Sequence, residues 1–172
     1  LNIKSKIEVL FICFGGSDNS DYSRKITEIV LHIPTVKKII LVTGPYYSVE
    51  DDWIENLQTD NKHFYAFQDL NEQQMFEQML LSDVLIVPAS TMSLEALALN
   101  KIIITGITAS NQKKIHDGIL PLDQVFSIGD FKNLTPKKLN SKIQSIFHKR
   151  GEDISRVSVK PSHFLLKEFK LL

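Results

Sequence analysis

Val84–Glu95 reads VLIVPASTMSLE: four apolar residues, Pro88-Ala89, a run of small or hydroxylated residues, and an apolar stretch holding one carboxylate, Glu95. A buried strand that breaks into a short polar turn and restarts as a helix builds an anion site. The first turn of a helix has unpaired backbone N–H groups and the positive end of the helix dipole. The pattern predicts a strand over Val84–Val87, a helix over Thr91–Leu99 and, between them, the floor of a nucleotide-diphosphate site.

The same alternation repeats on both sides. Lys6–Phe14 (KIEVLFICF), Lys38–Thr43 (KIILVT), His63–Phe67 (HFYAF) and Lys101–Thr105 (KIIIT) are apolar, β-branched and aromatic runs. Runs of this kind are strands buried on both faces. A further short strand is expected over Val125–Ile128. Between them, Tyr22, Ile26, Ile29, Val30 and Ile33 recur at helical spacing, and Pro34 stops that helix. Helices are also expected over Val49–Leu57, with Trp53 and Leu57 inward, and over Asn71–Leu81, with Met75, Phe76, Met79 and Leu80 as the buried stripe. Others are expected over Asn111–His116, Pro136–Lys149 and Pro161–Phe169. Strands alternating with helices mean a mainly parallel sheet of about six strands covered on both faces, a Rossmann-like three-layer α/β/α domain. Such sheets bind ligands where their strands end, and the polar turns Gly15–Asp18, Gly44–Tyr47, Gln68–Asn71, Ala89–Ser93 and Thr108–Gln112 all fall at strand ends.

At 172 residues the chain suits a single domain, 1–172. Its twenty basic residues balance twenty acidic ones, which gives no global electrostatic case for nucleic acid or an anionic membrane as partner. The lone Cys13 allows neither a disulfide framework nor a cysteine metal site and fits a reducing cytoplasm. No apolar run reaches the 18 or more residues of a membrane span. The chain starts at Leu1 and enters a strand within a few residues, as an excised piece of a longer protein, or a processed chain, would.

Several residues at these turns could carry ligand chemistry. Gly15, Gly16 and Ser17 follow a strand, and the missing side chains let backbone approach a phosphate. The plainer reading is a tight turn with Ser17 or Asp18 capping the next helix. Neither a dinucleotide fingerprint nor a P-loop is present. Ser90 and Thr91 offer hydroxyls and backbone N–H groups to a diphosphate, or simply cap a helix. Glu95 lies four residues beyond Thr91, one too far for a reciprocal capping box, and could accept hydrogen bonds from ribose hydroxyls. Phe67 and Gln68 could hold a base through main chain, with Phe67 against the ring or in the core. Asn111 and Gln112 could bond sugar hydroxyls or close a loop. The histidines His32, His63, His116, His148 and His163 lack metal-ligand spacing, and no Ser–His–Asp order or nucleophile elbow is present. The chain reads as built to bind a nucleotide, with no catalytic residue, metal or cofactor of its own.

FGGSD at 14–18, ASTMSLEAL at 89–97 and ITASNQ at 107–112 together resemble the C-terminal half of the PseG-type UDP-sugar hydrolases. Those enzymes act in pseudaminic acid biosynthesis, a route to a surface nonulosonic acid, and cleave a UDP-linked diacetamido sugar to UDP and free sugar. The wider group is similar to the C-terminal domain of GT-B glycosyltransferases, including the enzyme that adds N-acetylglucosamine to lipid I. The resemblance implies a UDP-sugar as ligand, with Gly15–Ser17 and Ser90–Thr91 flanking the diphosphate and Glu95 on the ribose. Phe67 and Gln68 would hold uracil, and Asn111 and Gln112 would face the sugar or phosphates. It places the catalytic histidine in an N-terminal domain of the same polypeptide. Many relatives carry two glycines where this chain has Pro88-Ala89, and an aromatic or polar residue where it has Leu94. The alternatives are the donor-binding domain of a GT-B glycosyltransferase and a non-catalytic nucleotide-binding module.

Overall fold

The apolar runs become strands. The computed structural model describes residues 7–48 and 52–152. Its strands are β1 (Val9–Cys13), β2 (Lys38–Thr43), β3 (Phe64–Gln68), β4 (Val84–Pro88), β5 (Ile102–Ile107) and β6 (Val125–Asp130). They form one six-stranded parallel sheet in the order β3-β2-β1-β4-β5-β6. The intervening helices are α1 (Tyr22–Val30), α2 (Trp53–Asp60), α3 (Glu72–Leu81), α4 (Thr91–Ala98), α5 (Lys113–Ile119) and α6 (Pro136–Glu152). The architecture is a Rossmann-like three-layer α/β/α fold. Among the described residues, no helix is long and apolar enough to cross a membrane. The helix expected over Pro161–Phe169, with His163, lies outside the described residues, as does Val49 at the expected start of α2.

By its packing the chain divides into two units, Glu8–Ile86 and Val87–Leu172 with Leu1–Ile7. In the first, β1 pairs with β2 from Val9↔Lys38 to Cys13↔Val42, and β3 adds to the far side of β2. Leu10, Phe11, Ile12, Ile40 and Leu41 have no exposed surface; α1, through buried Ile26 and Val30, packs on β1 and β2, and α3 packs on β1. The helix α1 ends at Val30, short of Ile33. The residue before Pro34 is pushed out of the helical region, so residues 31–33 wind into a turn with His32 N–H on Ile29 and Ile33 N–H on Val30. Ile33 stays buried regardless. In α3 the expected stripe is narrower than read. Met79 is buried and Met75 and Phe76 are half-buried, but Leu80 is 46% exposed. Leu80 sits about 100° around the helix from Met79, at the margin of the inward face.

In the second unit β5 pairs with β6, with a register shift at Thr105/Gly106. A side chain at Gly106 would meet the Gly129 carbonyl at 2.5 Å, so the irregularity depends on glycine there. Helical spacing makes Leu139, Ile143, Ile146 and Phe147 the expected inward stripe of α6; the first three are buried with Ile103, Ile104, Ile128 and Phe131, and Phe147 is half-buried. A 3₁₀ turn over Ser110–Gln112 precedes α5, so the helix expected over Asn111–His116 begins two residues later and runs to Ile119.

The first unit is pinned at the start of its strands by one carboxylate. Asp83 Oδ2 accepts the Glu8 N–H at 2.8 Å and the Val9 N–H at 2.9 Å, while the Asp83 N–H donates to the Val9 carbonyl at 2.9 Å. Hydrogen bonds to an ionised group contribute about 1.5–3 kcal/mol. Asp83→Ala is therefore expected to lower stability by about 2 kcal/mol in urea denaturation. Asp83→Asn, which keeps an oxygen acceptor, should lose clearly less; equal losses would remove the carboxylate clamp as the cause.

Candidate functional site

In the unit Glu8–Ile86 the glycine turn after β1 is fixed by a glycine from the next strand. Gly15 has φ +83°, a left-handed conformation that glycine adopts without strain. A Cβ on Gly44 would lie 2.4 Å from Gly16 Cα and 2.5 Å from the Gly15 carbonyl oxygen. Backbone therefore packs on backbone, and the Tyr46 N–H donates to the Gly16 carbonyl at 3.0 Å. Gly15, Gly16 and Ser17 are all exposed.

The plainer reading of this turn holds for Asp18 and not for Ser17. Asp18, at φ 41°, accepts the Tyr22 N–H on Oδ1 at 3.1 Å and the Ser23 N–H on Oδ2 at 2.7 Å. The first amides of α1 are thus taken by the chain's own carboxylate. Burial raises the Asp18 pKa despite these bonds, which favour the charged form. Asp21 makes no cap. It accepts the Tyr47 hydroxyl at 2.7 Å and pairs with Arg24 Nε at 3.5 Å, and the Arg24 guanidinium lies 5.0 Å from the Trp53 ring centre. Burial, then the bond to Asp21, pushes the Tyr47 phenol up, so it stays protonated.

Phe67 and Gln68 end the edge strand β3. The Asp69 N–H donates to the Thr43 carbonyl at 3.0 Å, and main-chain groups alternate in direction along a parallel strand. The N–H and C=O of Gln68 therefore face out from the sheet edge. Its side-chain Nε2 donates to the Tyr47 carbonyl at 3.1 Å and the Gly44 carbonyl at 3.4 Å. A cavity of about 370 Å³ opens beside it, lined by Thr43, Tyr47, Ser48, Asp52, Ile54, Glu55, Gln58, Ala66, Phe67 and Gln68. Phe67 is half-buried. Within this unit the loop 44–47 thus links the glycine turn to the Phe67–Gln68 strand end. The sequence marks Gly44–Tyr47 as a polar turn at a strand end, but not its bonds to the glycine turn and to Gln68.

In the second unit α4 starts at Thr91 with Ser90 before it, and the Ser90 side chain makes no cap bond. Its Oγ reaches only the Pro88 carbonyl at 3.5 Å. Ser93 is drawn back to the Ser90 carbonyl through its N–H at 3.0 Å and its Oγ at 2.6 Å. The Thr91 side chain is exposed, and the amides of Thr91 and Met92, like those opening any helix, have no intrahelical acceptor. Ala89 is fully buried, its N–H on the Gly106 carbonyl at 2.8 Å, so its methyl group packs inside the fold. Glu95 is half-buried on the second turn of α4.

Gln112 closes its own loop. Its Oε1 accepts the Thr108 N–H at 2.7 Å and its Nε2 lies 3.0 Å from Thr108 Oγ1, while Asn111 is exposed. His116 Nε2 is 2.7 Å from Ser127 Oγ and Nδ1 is 3.2 Å from Asp117 Oδ1. This makes a hydrogen-bonded Ser–His–Asp chain absent from the order of the sequence. Ser127 Oγ also accepts the Gly129 N–H at 2.9 Å, and the Asp117 side chain is 52% exposed. The three fasten α5 to β6. Among the described residues, no group of His, Cys, Asp or Glu is arranged to hold a metal ion.

Three solved structures share this fold: the glycosyltransferase of kitacinnamycin, MurG of Acinetobacter baumannii and TarM. The fold is that of a GT-B half. The chain is 13% identical to the kitacinnamycin enzyme with a TM-score of 0.65, covering 84% of this chain and 36% of that one. For MurG the values are 10%, 0.61, 98% and 53%, and for TarM 13%, 0.58, 96% and 35%. The chain thus spans about a third to a half of the length of these GT-B structures. No protein-family model matches it, and no curated protein sequence does.

The Gly44 contact predicts a site-specific loss. Overpacking costs about 1–3 kcal/mol, and here the clash is with backbone that has little room to yield. Gly44→Ala should fall at or above the top of that range in urea denaturation, whereas Gly118→Ala, with nothing within 4 Å, should cost nothing comparable. Asp18 predicts a pH dependence. With its folded pKa above 3.8, the folded state holds the proton more tightly than the unfolded one. The Asp18 contribution to stability therefore declines as pH rises from 3.8 through the folded pKa. The stability difference between the wild type and Asp18→Asn should shift against the wild type over that rise; a shift the other way would refute burial as the dominant cause.

Proposed function

We propose that this chain is the nucleotide-sugar donor-binding half of a GT-B enzyme, holding a UDP-sugar for transfer of the sugar to an acceptor. The observation that carries the reading is the start of α4. A fully buried strand ends at Pro88-Ala89, and a helix opens with Ser90 not spent on capping and Thr91 exposed. Free first-turn amides, two hydroxyls and the helix dipole suit a diphosphate. The likeness in fold to glycosyltransferases supports transfer.

In this reading the Glu95 carboxylate accepts hydrogen bonds from ribose hydroxyls. Gly15, Gly16 and Ser17 offer backbone N–H groups and a hydroxyl to phosphate. The outward main chain of Gln68 holds uracil, with Phe67 behind it, and the exposed Asn111 serves the sugar, Gln112 being taken up by Thr108. As the bond from the anomeric carbon to the diphosphate oxygen breaks, negative charge grows on UDP. Donors fixed around that charge stabilise it, so this half acts on the leaving group. The base that deprotonates the attacking hydroxyl belongs to an N-terminal domain of the same polypeptide, in a cytoplasmic enzyme.

Hydrolysis is the second reading, and the motifs at 14–18, 89–97 and 107–112 favour it. Water would then replace the acceptor, as in the PseG-type enzymes, releasing UDP and a free amino sugar.

Calorimetry with UDP tests the shared premise. Glu95→Ala is expected to weaken UDP binding about tenfold or more, as loss of a charged hydrogen-bond acceptor does. Ser90→Ala with Thr91→Ala should likewise weaken UDP more than it lowers stability. Absence of UDP binding, or a Glu95→Ala variant that binds as the wild type does, would sink the reading. Assays of the full-length protein with UDP-sugars, with and without acceptor, separate transfer from hydrolysis.

A further inference from the structure

We infer that Tyr46 is a stacking platform for the nucleobase of the bound nucleotide, an inference that rests on the nucleotide reading above. Two tyrosines stand side by side in the loop after β2 with opposite fates. Tyr47 is 5% exposed, while Tyr46 is 80% exposed. A large ring left in water on a mobile loop would mean little. This loop is tied down on every side.

The Tyr46 N–H donates to the Gly16 carbonyl at 3.0 Å and the Tyr47 N–H to the Gly44 carbonyl at 3.1 Å. Gln68 Nε2 donates to the Tyr47 carbonyl at 3.1 Å, and the Tyr47 hydroxyl to Asp21 at 2.7 Å. The backbone that carries the ring is already ordered, so little ordering entropy opposes binding. The ring edge lies 3.9 Å from where a Gly16 Cβ would stand, so the ring borders the glycine turn. The same loop is bonded to Gln68, whose main chain faces outward at the sheet edge.

Tyr46 therefore borders the glycine turn, on a loop that Gln68 ties to the end of β3. The residues around it do not form an apolar docking patch. Gly15, Gly16, Ser17 and Gln68 are exposed, small or polar. An exposed aromatic face on a fixed loop bordering the glycine turn suits a flat heterocycle, which stacks through its face. Stacking supplies affinity without choosing among bases, which leaves selection to the main chain of Gln68.

Calorimetry of wild type, Tyr46→Ala and Tyr46→Phe with UDP and with inorganic pyrophosphate tests this, with melts as a control. Stacking on an aromatic side chain corresponds to a roughly 5- to 150-fold change in affinity. Tyr46→Ala should lose that much UDP affinity, leave pyrophosphate unchanged, and melt as the wild type does, while Tyr46→Phe should bind UDP nearly normally. UDP binding by Tyr46→Ala at wild-type strength overturns the platform and leaves the nucleotide reading standing. A parallel loss of UDP and pyrophosphate also overturns it, because the effect would not depend on the base. Failure of the wild type to bind UDP overturns the nucleotide reading itself.

Discussion

The candidate site in the unit Glu8–Ile86 depends on one close approach, that of Gly44 to Gly15-Gly16. The register of β1 against β2, with Cys13 opposite Val42, delivers both strand ends to the same level. There the backbone of one turn presses on the backbone of the other, with no space for a methyl group. Everything downstream follows from that contact. The Tyr46 amide reaches Gly16, Tyr47 turns inward to Asp21, and Gln68 closes on the Tyr47 carbonyl. A side chain at Gly44 would separate the turns and release this chain of bonds.

The starts of α1 and α4 show why similar local sequences need not serve the same chemistry. Both helices follow a strand through a short turn of small and polar residues. Asp18 folds back on α1 and takes its amides at Tyr22 and Ser23. Ser90 leaves the side-chain cap of α4 unmade and spends its carbonyl on Ser93 instead. A helix end whose amides are already met by a carboxylate repels a further anion; one whose amides are open attracts it. The start of α4 therefore suits an anion, and the start of α1 does not.

The fold was legible in the sequence because strands buried on both faces leave continuous apolar runs. Lys38–Thr43 emerged with its expected limits, and α6 buried most of the stripe its spacing implied. The departures have local causes. Pro34 acts on residues before it and trims α1, and a 3₁₀ turn delays α5. Leu80 was assigned to a stripe it only borders. The site was less legible, since its geometry comes from register. Nothing in Thr43-Gly44-Pro45-Tyr46-Tyr47 says which tyrosine is buried, or that Gly44 meets Gly16. Nor does sequence order bring Ser127 to His116. Asp18 was named as a cap alongside Ser17, but only the left-handed turn at Asp18 selects between them.

Charge limits what the glycine turn can do alone. Asp18 and Asp21 stand just beyond it; Arg24 is paired with Asp21 and laid on Trp53, and the Lys25 ammonium donates to the Ser20 carbonyl. A diphosphate brought to Gly15–Ser17 would meet backbone N–H groups and two neighbouring carboxylates. Backbone dipoles bind an anion well only where no fixed negative charge opposes them. In the proposed reading, then, the glycine turn shapes the site and positions Tyr46. The start of α4, taken by itself, has open amides and hydroxyls and no carboxylate cap of that kind, which suits an anion better.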